Sequence, residues 1–252
     1  MNAKVAATSS VQRETGTTQK GGRDAPTTAM VLAAGIGSRM RPLTDDRPKA
    51  LVEVGGKALI DHMLDRLADA GVTDAVVNAH HFGDRLIAHV QARQHPWVVV
   101  SDERDRLLET GGGLKKARPL LGDDPVWVAN IDSVWIEGAT PALTTLASAW
   151  DPQRMDACLL LAPMDNLLGL DGPGDFFLGD DGRLTHRGAA PRAPYAYIGV
   201  QIMKPQIVDD GPDGPFSVFA SWMQAMARGR LYGAVMDGFW MHVGDPGSRD
   251  EA

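Results

Sequence analysis

Two hydrophobic periodicities alternate along most of the chain, and they predict strands followed by helices. The first apolar run, residues 29–34, ends at Gly35 and predicts a buried strand. Apolar residues then recur at helical spacing from Ile60 to Ala68, and Gly71 ends that helix. The order repeats, with strands at 74–79, 97–100, 125–130 and around Cys158, and helices at 83–93, 114–121 and 141–150. This alternation predicts an α/β fold, a Rossmann-like and mainly parallel sheet flanked by helices.

The pattern changes after about residue 164. Residues 176–178 and 183–185 flank an Asp-Gly turn, which predicts a hairpin. A strand at 195–203, a helix at 216–228 and a strand at 231–236 follow, and residues 247–252 resemble the start of a helix. We therefore expect added antiparallel strands in the C-terminal third and a single domain over residues 29–252.

Residues 1–28 differ from the rest because they are mostly polar. Their longest apolar segment is Val5-Ala6-Ala7, which cannot offset the entropy of ordering, so we expect a disordered leader. The leader also lacks the apolar core of about 7–15 residues that a secretory signal needs. The cytoplasm is therefore the expected location.

Composition excludes several classes of protein. The 252 residues are 44% hydrophobic and 23% charged, a balance typical of globular domains. The longest uncharged apolar run, residues 157–164, is far below the ~18 residues of a membrane span. A net charge of −7 argues against nucleic acid as the main partner. Cys158 is the single cysteine, which excludes an intramolecular disulfide, and its apolar neighbours predict a buried side chain.

The most informative segment follows the first predicted strand. Residues 32–44 read L-A-A-G-I-G-S-R-M-R-P-L-T, and residues 47–52 read R-P-K-A-L-V. A glycine-rich loop at the end of a strand offers backbone N–H groups to an anion. The loop is not a dinucleotide fingerprint, since Met40 occupies the third glycine position. It is not a P-loop either, since Ser38-Arg39 follows Gly37.

Cations accompany this loop. Arg39, Arg41 and Lys49 fall within eleven residues, and Pro42 and Pro48 separate them. The prolines favour a shaped loop over a helix face. On spacing alone, the segment predicts a phosphate-binding loop, with a basic surface loop as the alternative.

The whole segment resembles the signature loop of the sugar-1-phosphate nucleotidyltransferases, L-A-A-G-x-G-x-R-M-x-P-L-T followed by P-K-x-L-V. The likeness extends over about residues 29–252, and later features are most similar to the N-acetylmuramate-1-phosphate uridylyltransferases of bacterial cell-wall recycling. The resemblance implies transfer from UTP to a sugar-1-phosphate, with release of pyrophosphate. It also implies a nucleotide-binding part at about 29–150 and a sugar-binding part at about 151–252.

The resemblance assigns roles to particular residues. The implied catalytic residues are Arg39, Lys49 and Asp132. The implied nucleotide-binding residues are Ala34, Gly35, Gly37, Ser38, Arg39, Lys49, Asn78 and Gly111. The implied sugar-phosphate-binding residues are Glu109, Gly112, Asn130, Asn166 and Gly174.

The resemblance also implies a magnesium site, and here the sequence departs from the family. Asp132 matches one metal ligand, but His242 stands where the family motif W-x-D-V-G-T-P has its aspartate. Imidazole binds divalent metals, whereas magnesium prefers oxygen, so manganese is an alternative cofactor. Three interpretations stay open: His242 binds the metal, Asp245 reaches it, or Asp132 holds it with phosphates and water alone.

Two other functions remain alternatives. One is a different nucleotidyltransferase, such as a mannose-1-phosphate guanylyltransferase or a cytidylyltransferase. The other is a non-catalytic regulatory protein that binds nucleotide sugars. His242 favours the second, while the intact set of Arg39, Lys49 and Asp132 opposes it. The expected partners are a nucleoside triphosphate and a sugar-1-phosphate, with neither nucleic acid nor membrane.

Overall fold

A nine-stranded mixed sheet forms the centre of the computed structural model, which describes residues 25–252. The strands in chain order are β1 Thr28–Leu32, β2 Glu53–Val54, β3 Lys57–Ala58, β4 Asp74–Ala79, β5 Trp97–Asp102, β6 Val126–Asn130, β7 Ser133–Ile136, β8 Ala157–Pro163, β9 Leu167–Leu168, β10 Phe176–Leu178, β11 Leu184–His186, β12 Tyr195–Met203, β13 Leu231–Val235 and β14 Phe239–His242. The helices are α1 Leu59–Asp69, α2 Gly83–Gln91, α3 Glu109–Leu121, α4 Ala142–Ala149, α5 Phe219–Ala227 and α6 Pro246–Glu251. Short 3-10 helices span Ser38–Met40, Lys49–Leu51 and Pro205–Val208.

The N-terminal half of the sheet is parallel. Its strands lie in the order β5-β4-β1-β6, with β1 between its two neighbours. In this register Leu32 at the end of β1 pairs with Asn130 at the end of β6. The loops that follow β1, β4 and β6 therefore emerge along one edge, where open α/β sheets bind their ligands.

The C-terminal third adds antiparallel strands. The long strand β12 runs antiparallel to both β6 and β8, and β13 extends the sheet beyond β8. The hairpin β10–β11 pairs Phe176 with His186 and joins β12 at Tyr195. A separate small sheet has the order β7-β14-β9. The predicted fold class and the predicted hairpin are both confirmed.

Two hydrophobic clusters cover the two faces of the main sheet. Successive residues of β1 point to opposite faces, so that Ala29 and Val31 belong to one cluster and Met30 to the other. The first cluster contains apolar residues of α1, α2 and α4, and the second contains those of α3 and α5. This helix-on-both-faces arrangement is the one that the alternating pattern predicts.

The structure also corrects several predicted boundaries. Helix α3 begins at Glu109, five residues before the predicted start, and includes three consecutive glycines. Helix α5 begins at Phe219 rather than at 216. The short strands β7 and β14 have no counterpart in the sequence-based prediction.

The N-terminal boundary of the folded part lies earlier than composition suggests. The Pro26 carbonyl accepts a hydrogen bond from Trp127 Nε1, and the Thr27 carbonyl accepts one from the Thr73 amide. Residues 25–28 thus belong to the fold, while residues 1–24 of the expected leader lie outside the described residues. Across residues 25–252, the helices are too short or too polar to span a membrane.

Cys158 lies in the interior of strand β8. Its side chain is fully buried, and this burial raises the pKa of the thiol to about 12. The prediction of a buried cysteine is confirmed. The thiol stays protonated at neutral pH and therefore makes a poor nucleophile.

Candidate active site

The glycine-rich loop after β1 folds back over Lys49. Gly37 has a φ of +67°, and its carbonyl accepts a hydrogen bond from Thr44 Oγ1 at 2.9 Å. A Cβ atom at this position would lie 2.9 Å from Lys49 Cβ. Both the left-handed backbone and the close approach therefore require glycine here.

The residues after Gly37 turn the loop outward. Ser38, Arg39 and Met40 form one turn of 3-10 helix, in which the Met40 side chain is buried and the other two are exposed. Met40 anchors the turn in the hydrophobic core. Because Met40 points inward, Ser38 and Arg39 face the solvent side, where a ligand can reach them.

A cavity of about 530 Å³ opens at the carboxyl ends of β1, β4 and β6. Its lining residues are Leu32, Ala33, Ala34, Gly35, Ile36, Gly37, Ser38, Arg39, Lys49, Asn78, Leu107, Glu109, Thr110, Asn130, Ile131, Asp132, Ser217 and Gly244. The cavity brings together Arg39, Lys49 and Asp132, which come from three separate stretches of chain. A nucleotide-sized ligand fits a cavity of this volume.

Lys49 and Asp132 form an ion pair in this cavity. Lys49 Nζ donates to Asp132 Oδ2 at 2.8 Å, and only 10% of the lysine side chain and 23% of the aspartate side chain are exposed. Burial by itself raises the pKa of Asp132. The charge of Lys49 and its hydrogen bond outweigh that effect and hold the pKa below its ordinary value. The carboxylate is therefore ionised at neutral pH.

His242 lies beside the same carboxylate. In the small sheet His242 pairs with Ser133, and the next amide, that of Val243, donates to the Asp132 carbonyl at 2.8 Å. Burial lowers the pKa of His242, and the charges of Lys49 and Arg39 lower it further, against the opposing effect of Asp132. The imidazole is therefore neutral at neutral pH, the form that binds metal ions.

The residues around Asp132 fit a metal ion that substrate oxygens help to hold. Residues 25–252 contain no cluster of three or more His, Cys, Asp or Glu side chains suited to a metal. Magnesium is commonly bound through one or two protein carboxylates together with substrate phosphates. Asp132 with neutral His242 beside it offers such a partial ligand set.

Asp245 caps the N-terminus of helix α6. Its Oδ1 accepts from the Ser248 amide at 2.9 Å, and Ser248 Oγ accepts from the Asp245 amide at 3.2 Å. This reciprocal pair is a capping box at the start of α6. Asp245 therefore caps α6 through Oδ1, while its charge also raises the pKa of His242 against the effect of burial.

Asn78 shapes the start of the glycine-rich loop. Its Oδ1 accepts hydrogen bonds from the amides of Ala33 and Ala34 at 2.6 and 3.2 Å. The residue also borders the cavity. Asn78 thus combines a position near the predicted nucleotide with a structural bond to the loop.

The three glycines at the start of α3 accommodate a neighbouring segment. The amides of Gly111 and Gly112 both donate to the Phe216 carbonyl, at 2.8 and 3.1 Å. A Cβ at Gly111 would lie 2.4 Å from the Phe216 ring, and one at Gly112 would lie 2.3 Å from the Gly214 carbonyl. Neither glycine lines the cavity. Both are needed for packing of the 214–216 segment.

The residue before these glycines does border the cavity. Glu109 is exposed and has a φ of +58°, a left-handed conformation that is uncommon outside glycine. Such strain is often found at ligand sites. Thr110 also borders the cavity, and its Oγ1 accepts from the Val218 amide at 2.9 Å.

The predicted sugar-side residues divide into two groups. Asn130 ends β6, lines the cavity and packs against Gly199. Asn166 and Gly174 lie outside the cavity lining. The Asn166 side chain donates to the Gly238 carbonyl at 3.1 Å, and Gly174 has a φ of +76° next to the Ala193 carbonyl. These two residues support the loops of the C-terminal third.

Eight residues that line the cavity have no role in the sequence-based prediction: Leu32, Ala33, Ile36, Leu107, Thr110, Ile131, Ser217 and Gly244. Five of them lie in the signature loop or directly beside a predicted site residue, and the other three are more distant. Leu107 precedes α3, Ser217 precedes α5 and Gly244 follows β14. Leu107 lies two residues before the predicted Glu109, and Gly244 lies within the stretch that matches the motif W-x-D-V-G-T-P at His242, so both could have been inferred. Ser217 carries no such signal, because the packing of Phe216 against α3 brings it to the cavity.

The chain belongs to the MobA-like NTP transferase family, whose domain model matches residues 29–165, more than half of the chain. It is a nucleotidyltransferase, as the signature loop predicts. It is 58% identical over 226 residues to the N-acetylmuramate alpha-1-phosphate uridylyltransferase of Caulobacter vibrioides, covering 88% of this chain and 93% of the relative. It is 35% identical to the enzyme of the same name from Neisseria meningitidis serogroup B, covering 86% of this chain and 92% of the relative.

More distant proteins share the fold. The mannose-1-phosphate guanyltransferase of Aspergillus oryzae is 27% identical over 86% of this chain and 61% of its own length. Among solved structures, the inositol-1-phosphate CTP transferase from T. maritima superimposes with a TM-score of 0.73 at 18% identity, covering 88% of this chain and 91% of that one. The Rossmann-like architecture predicted from the sequence is thereby confirmed.

Proposed function

We propose that this nucleotidyltransferase joins UTP to N-acetylmuramate α-1-phosphate, giving the UDP-sugar and pyrophosphate. The single observation that carries the proposal is the convergence of Arg39, Lys49 and Asp132 on one cavity at the carboxyl edge of the sheet. The choice of base and sugar rests on the Caulobacter relative, whose identity of 58% far exceeds the 27% of the guanyltransferase. We place the reaction in peptidoglycan recycling in the cytoplasm, where nucleoside triphosphates are available.

The reaction needs no nucleophilic side chain. A phosphate oxygen of the sugar-1-phosphate attacks the α-phosphorus of UTP, and the bond to the pyrophosphate oxygen breaks on the opposite side. The attacking oxygen is already anionic near neutral pH, so no general base has to remove a proton. Catalysis therefore consists of positioning and charge neutralisation.

Lys49 supplies positive charge where the two phosphates meet. Its ammonium lies 2.8 Å from Asp132, which fixes its position at the floor of the cavity. A preorganised cation stabilises the charge that builds on the α-phosphate oxygens in the transition state. We assign Lys49 to bridging the α-phosphate and the sugar phosphate.

The glycine-rich loop binds the remaining phosphates. Gly35, Gly37 and Ser38 line the cavity, and the exposed Arg39 lines it as well. Backbone N–H groups in such a loop form an anion-binding nest. Arg39 neutralises the pyrophosphate as it leaves.

Asp132 and His242 would hold a divalent metal together with substrate phosphates. When bound, magnesium or manganese supplies positive charge that draws electron density from the α-phosphate. Asp132 is ionised and His242 is neutral at neutral pH, so both are in the protonation state that ligation needs.

The remaining predicted binding residues are assigned according to whether they line the cavity. We assign Ala34 and Asn78 to the nucleotide and Glu109 and Asn130 to the sugar phosphate, since all four residues line the cavity. For Gly111, Gly112, Asn166 and Gly174 we propose a supporting role, because their contacts are with neighbouring backbone.

Measuring pyrophosphate release tests the proposal directly. The purified protein is incubated with each of UTP, GTP, CTP and ATP, paired with N-acetylmuramate α-1-phosphate or mannose-1-phosphate. The highest kcat/KM is expected for UTP with the muramate. Preference for GTP with mannose-1-phosphate would make the chain a guanylyltransferase, and tight nucleotide binding without pyrophosphate would make it a regulatory protein.

A further inference from the structure

Two buried amides need a partner where β1 leaves the sheet. Ala33 and Ala34 follow the last strand residue, and both are at most 5% exposed. Their N–H groups donate to the same oxygen, Asn78 Oδ1. Leaving a buried N–H without an acceptor is costly, so the path of the loop depends on the orientation of one side-chain amide.

A buried carboxylate sets that orientation. Asn78 Nδ2 donates to Glu103 Oε1 at 2.9 Å. If the amide of Asn78 were rotated by half a turn, its NH₂ group would face the two backbone donors and its oxygen would face the carboxylate. Three hydrogen bonds would be lost together. The acceptor at Glu103 thus selects the rotamer that holds the loop.

Glu103 is fixed from several sides. Its side chain has no exposed surface, and its amide donates to the Ala79 carbonyl at 2.8 Å. Helix α3 covers it at Gly113, where a Cβ would lie 3.0 Å from both Asn78 Nδ2 and Glu103 Oε1. The helix can approach the pair this closely because position 113 carries no side chain.

The buried carboxyl group of Glu103 also lowers the stability of the fold. Glu103 Oε2 is buried and has no hydrogen-bond partner among residues 25–252. Burial raises the pKa of this carboxyl, against the lowering effects of the Asn78 hydrogen bond, the charges of Lys116 and His80, and the Leu108 amide. A buried polar atom without a partner lowers stability, so its presence next to the active-site loop points to a functional purpose.

We propose that Glu103 is a positioning residue for nucleoside triphosphate binding, acting through Asn78 on the loop that begins at Ala33. Glu103 does not border the cavity, so it touches no substrate itself. Glu103 therefore affects the position of the phosphate-binding loop, and it does not affect binding of the sugar-1-phosphate. The inference rests on the proposed function of the same cavity.

Two variants of similar size test the proposal. Glu103→Gln keeps an acceptor oxygen for Asn78, whereas Glu103→Met fills the same space without one. Glu103→Met is expected to raise the KM for UTP about tenfold, the scale of one lost hydrogen bond to a charged group. The KM for the sugar-1-phosphate should change less than twofold, and Glu103→Gln should stay within about threefold of the wild type in both.

A third variant changes Asn78, the donor of the hydrogen bond to Glu103. Asn78→Asp keeps an acceptor for the loop but cannot donate to Glu103, and it is expected to raise the KM for UTP as Glu103→Met does. Because Asn78 also borders the cavity, the double variant Asn78→Asp/Glu103→Gln provides the test if Glu103→Met fails to fold. The glutamine amide can donate to the aspartate, so the KM for UTP should return to within about threefold of the wild type, and a KM that stays raised would contradict the positioning role. Asp102→Asn, which changes an exposed carboxylate paired with Arg104, is the matched control and should leave both KM values unchanged.

The outcomes separate the two proposals. If the glutamine and methionine variants behave alike, or if both KM values rise together, Glu103 has no selective role in positioning the loop. If the wild type shows no turnover with UTP and any sugar-1-phosphate, the proposed function fails instead. In that event, nucleotide affinity from thermal shifts of the same variants still tests the Asn78–Glu103 contact.

Discussion

Lys49 Nζ lies 2.8 Å from Asp132 Oδ2, although 83 residues of chain separate the two. The short helix Lys49–Leu51 and the end of β6 bring them to the floor of one cavity. Both side chains are largely buried, so neither charge is well solvated by water. Each therefore depends on the other, and removing one leaves a poorly compensated charge in the site.

Replacing Lys49 removes the cation from the reacting phosphates. Lys49→Ala is expected to lower kcat at least 100-fold, which corresponds to about 2.7 kcal/mol of transition-state stabilisation. Steady-state pyrophosphate release measures the effect. Lys57→Ala, which removes an exposed lysine paired with Asp65, is the control and should retain activity. Near-normal turnover in Lys49→Ala would exclude Lys49 from the mechanism.

Changing His242 should alter the metal requirement. His242→Asp introduces the oxygen ligand that magnesium prefers, and it restores the family motif. We expect the concentration of magnesium giving half-maximal activity to fall several-fold, and the ratio of manganese to magnesium activity to fall as well. His242→Ala should shift the magnesium requirement upward. Identical metal titrations for all three proteins would show that position 242 does not contact the metal.

Adding a methyl group at Gly111 should destabilise the fold. The new Cβ of Gly111→Ala would lie 2.4 Å from the Phe216 ring and 2.9 Å from its carbonyl oxygen. Overpacking of this kind costs about 1–3 kcal/mol of unfolding free energy. Urea denaturation measures the change. Gly172→Ala is the control, because its Cβ would meet no atom within 4 Å, and an equal loss in both variants would contradict the packing argument.

The Asp156 ion pairs should make stability depend on pH. Burial raises the pKa of Asp156, but Arg230, Arg228 and Lys204 outweigh that effect and hold it below its ordinary value. A carboxyl with a lowered folded-state pKa stabilises the protein above its unfolded pKa of about 3.9, and the contribution disappears as pH falls through the folded value.

The comparison of wild type with Asp156→Asn isolates this effect. At pH 7 the variant should be less stable by about 1–2 kcal/mol. The urea midpoints of the two proteins should begin to converge as pH falls below the unfolded pKa of about 3.9, and they should coincide below the folded-state pKa. Asp181→Asn removes a carboxylate from an ion pair in which both side chains are about half exposed, and it should change stability little at either pH. A difference at Asp156 that persists unchanged into acid would contradict the linkage.

The longer elements could be predicted from the sequence because one face of each is apolar. Strand β4 and strand β12 match their predicted bounds residue for residue. Strands β7 and β14 could not be predicted, because each has only four residues and its partners in the β7-β14-β9 sheet are distant in the sequence. The early start of helix α3 could not be predicted, because glycine disfavours helix and the Phe216 carbonyl that accepts from the Gly111 and Gly112 amides is distant in the sequence.

The site residues that belong to one contiguous sequence motif could be predicted from the sequence. The loop from Ala34 to Arg39, together with Lys49, lines the cavity as its motif implies. Ser217 and Glu103 could not be found in this way, because tertiary packing alone relates them to the loop. The family motif likewise gave no indication that Gly111 faces Phe216 and not the cavity.

The order of the strands in the main sheet affects how the chain folds during its synthesis. Strand β12 lies between β6 and β8, and β14 sets His242 beside Asp132, yet both strands come after residue 165, where the match to the family model ends. A nascent chain that has emerged only to that point leaves the facing edges of β6 and β8 unpaired. The main sheet and the small sheet beside the cavity are therefore completed only after residues 195–242 have left the ribosome and paired with the earlier strands.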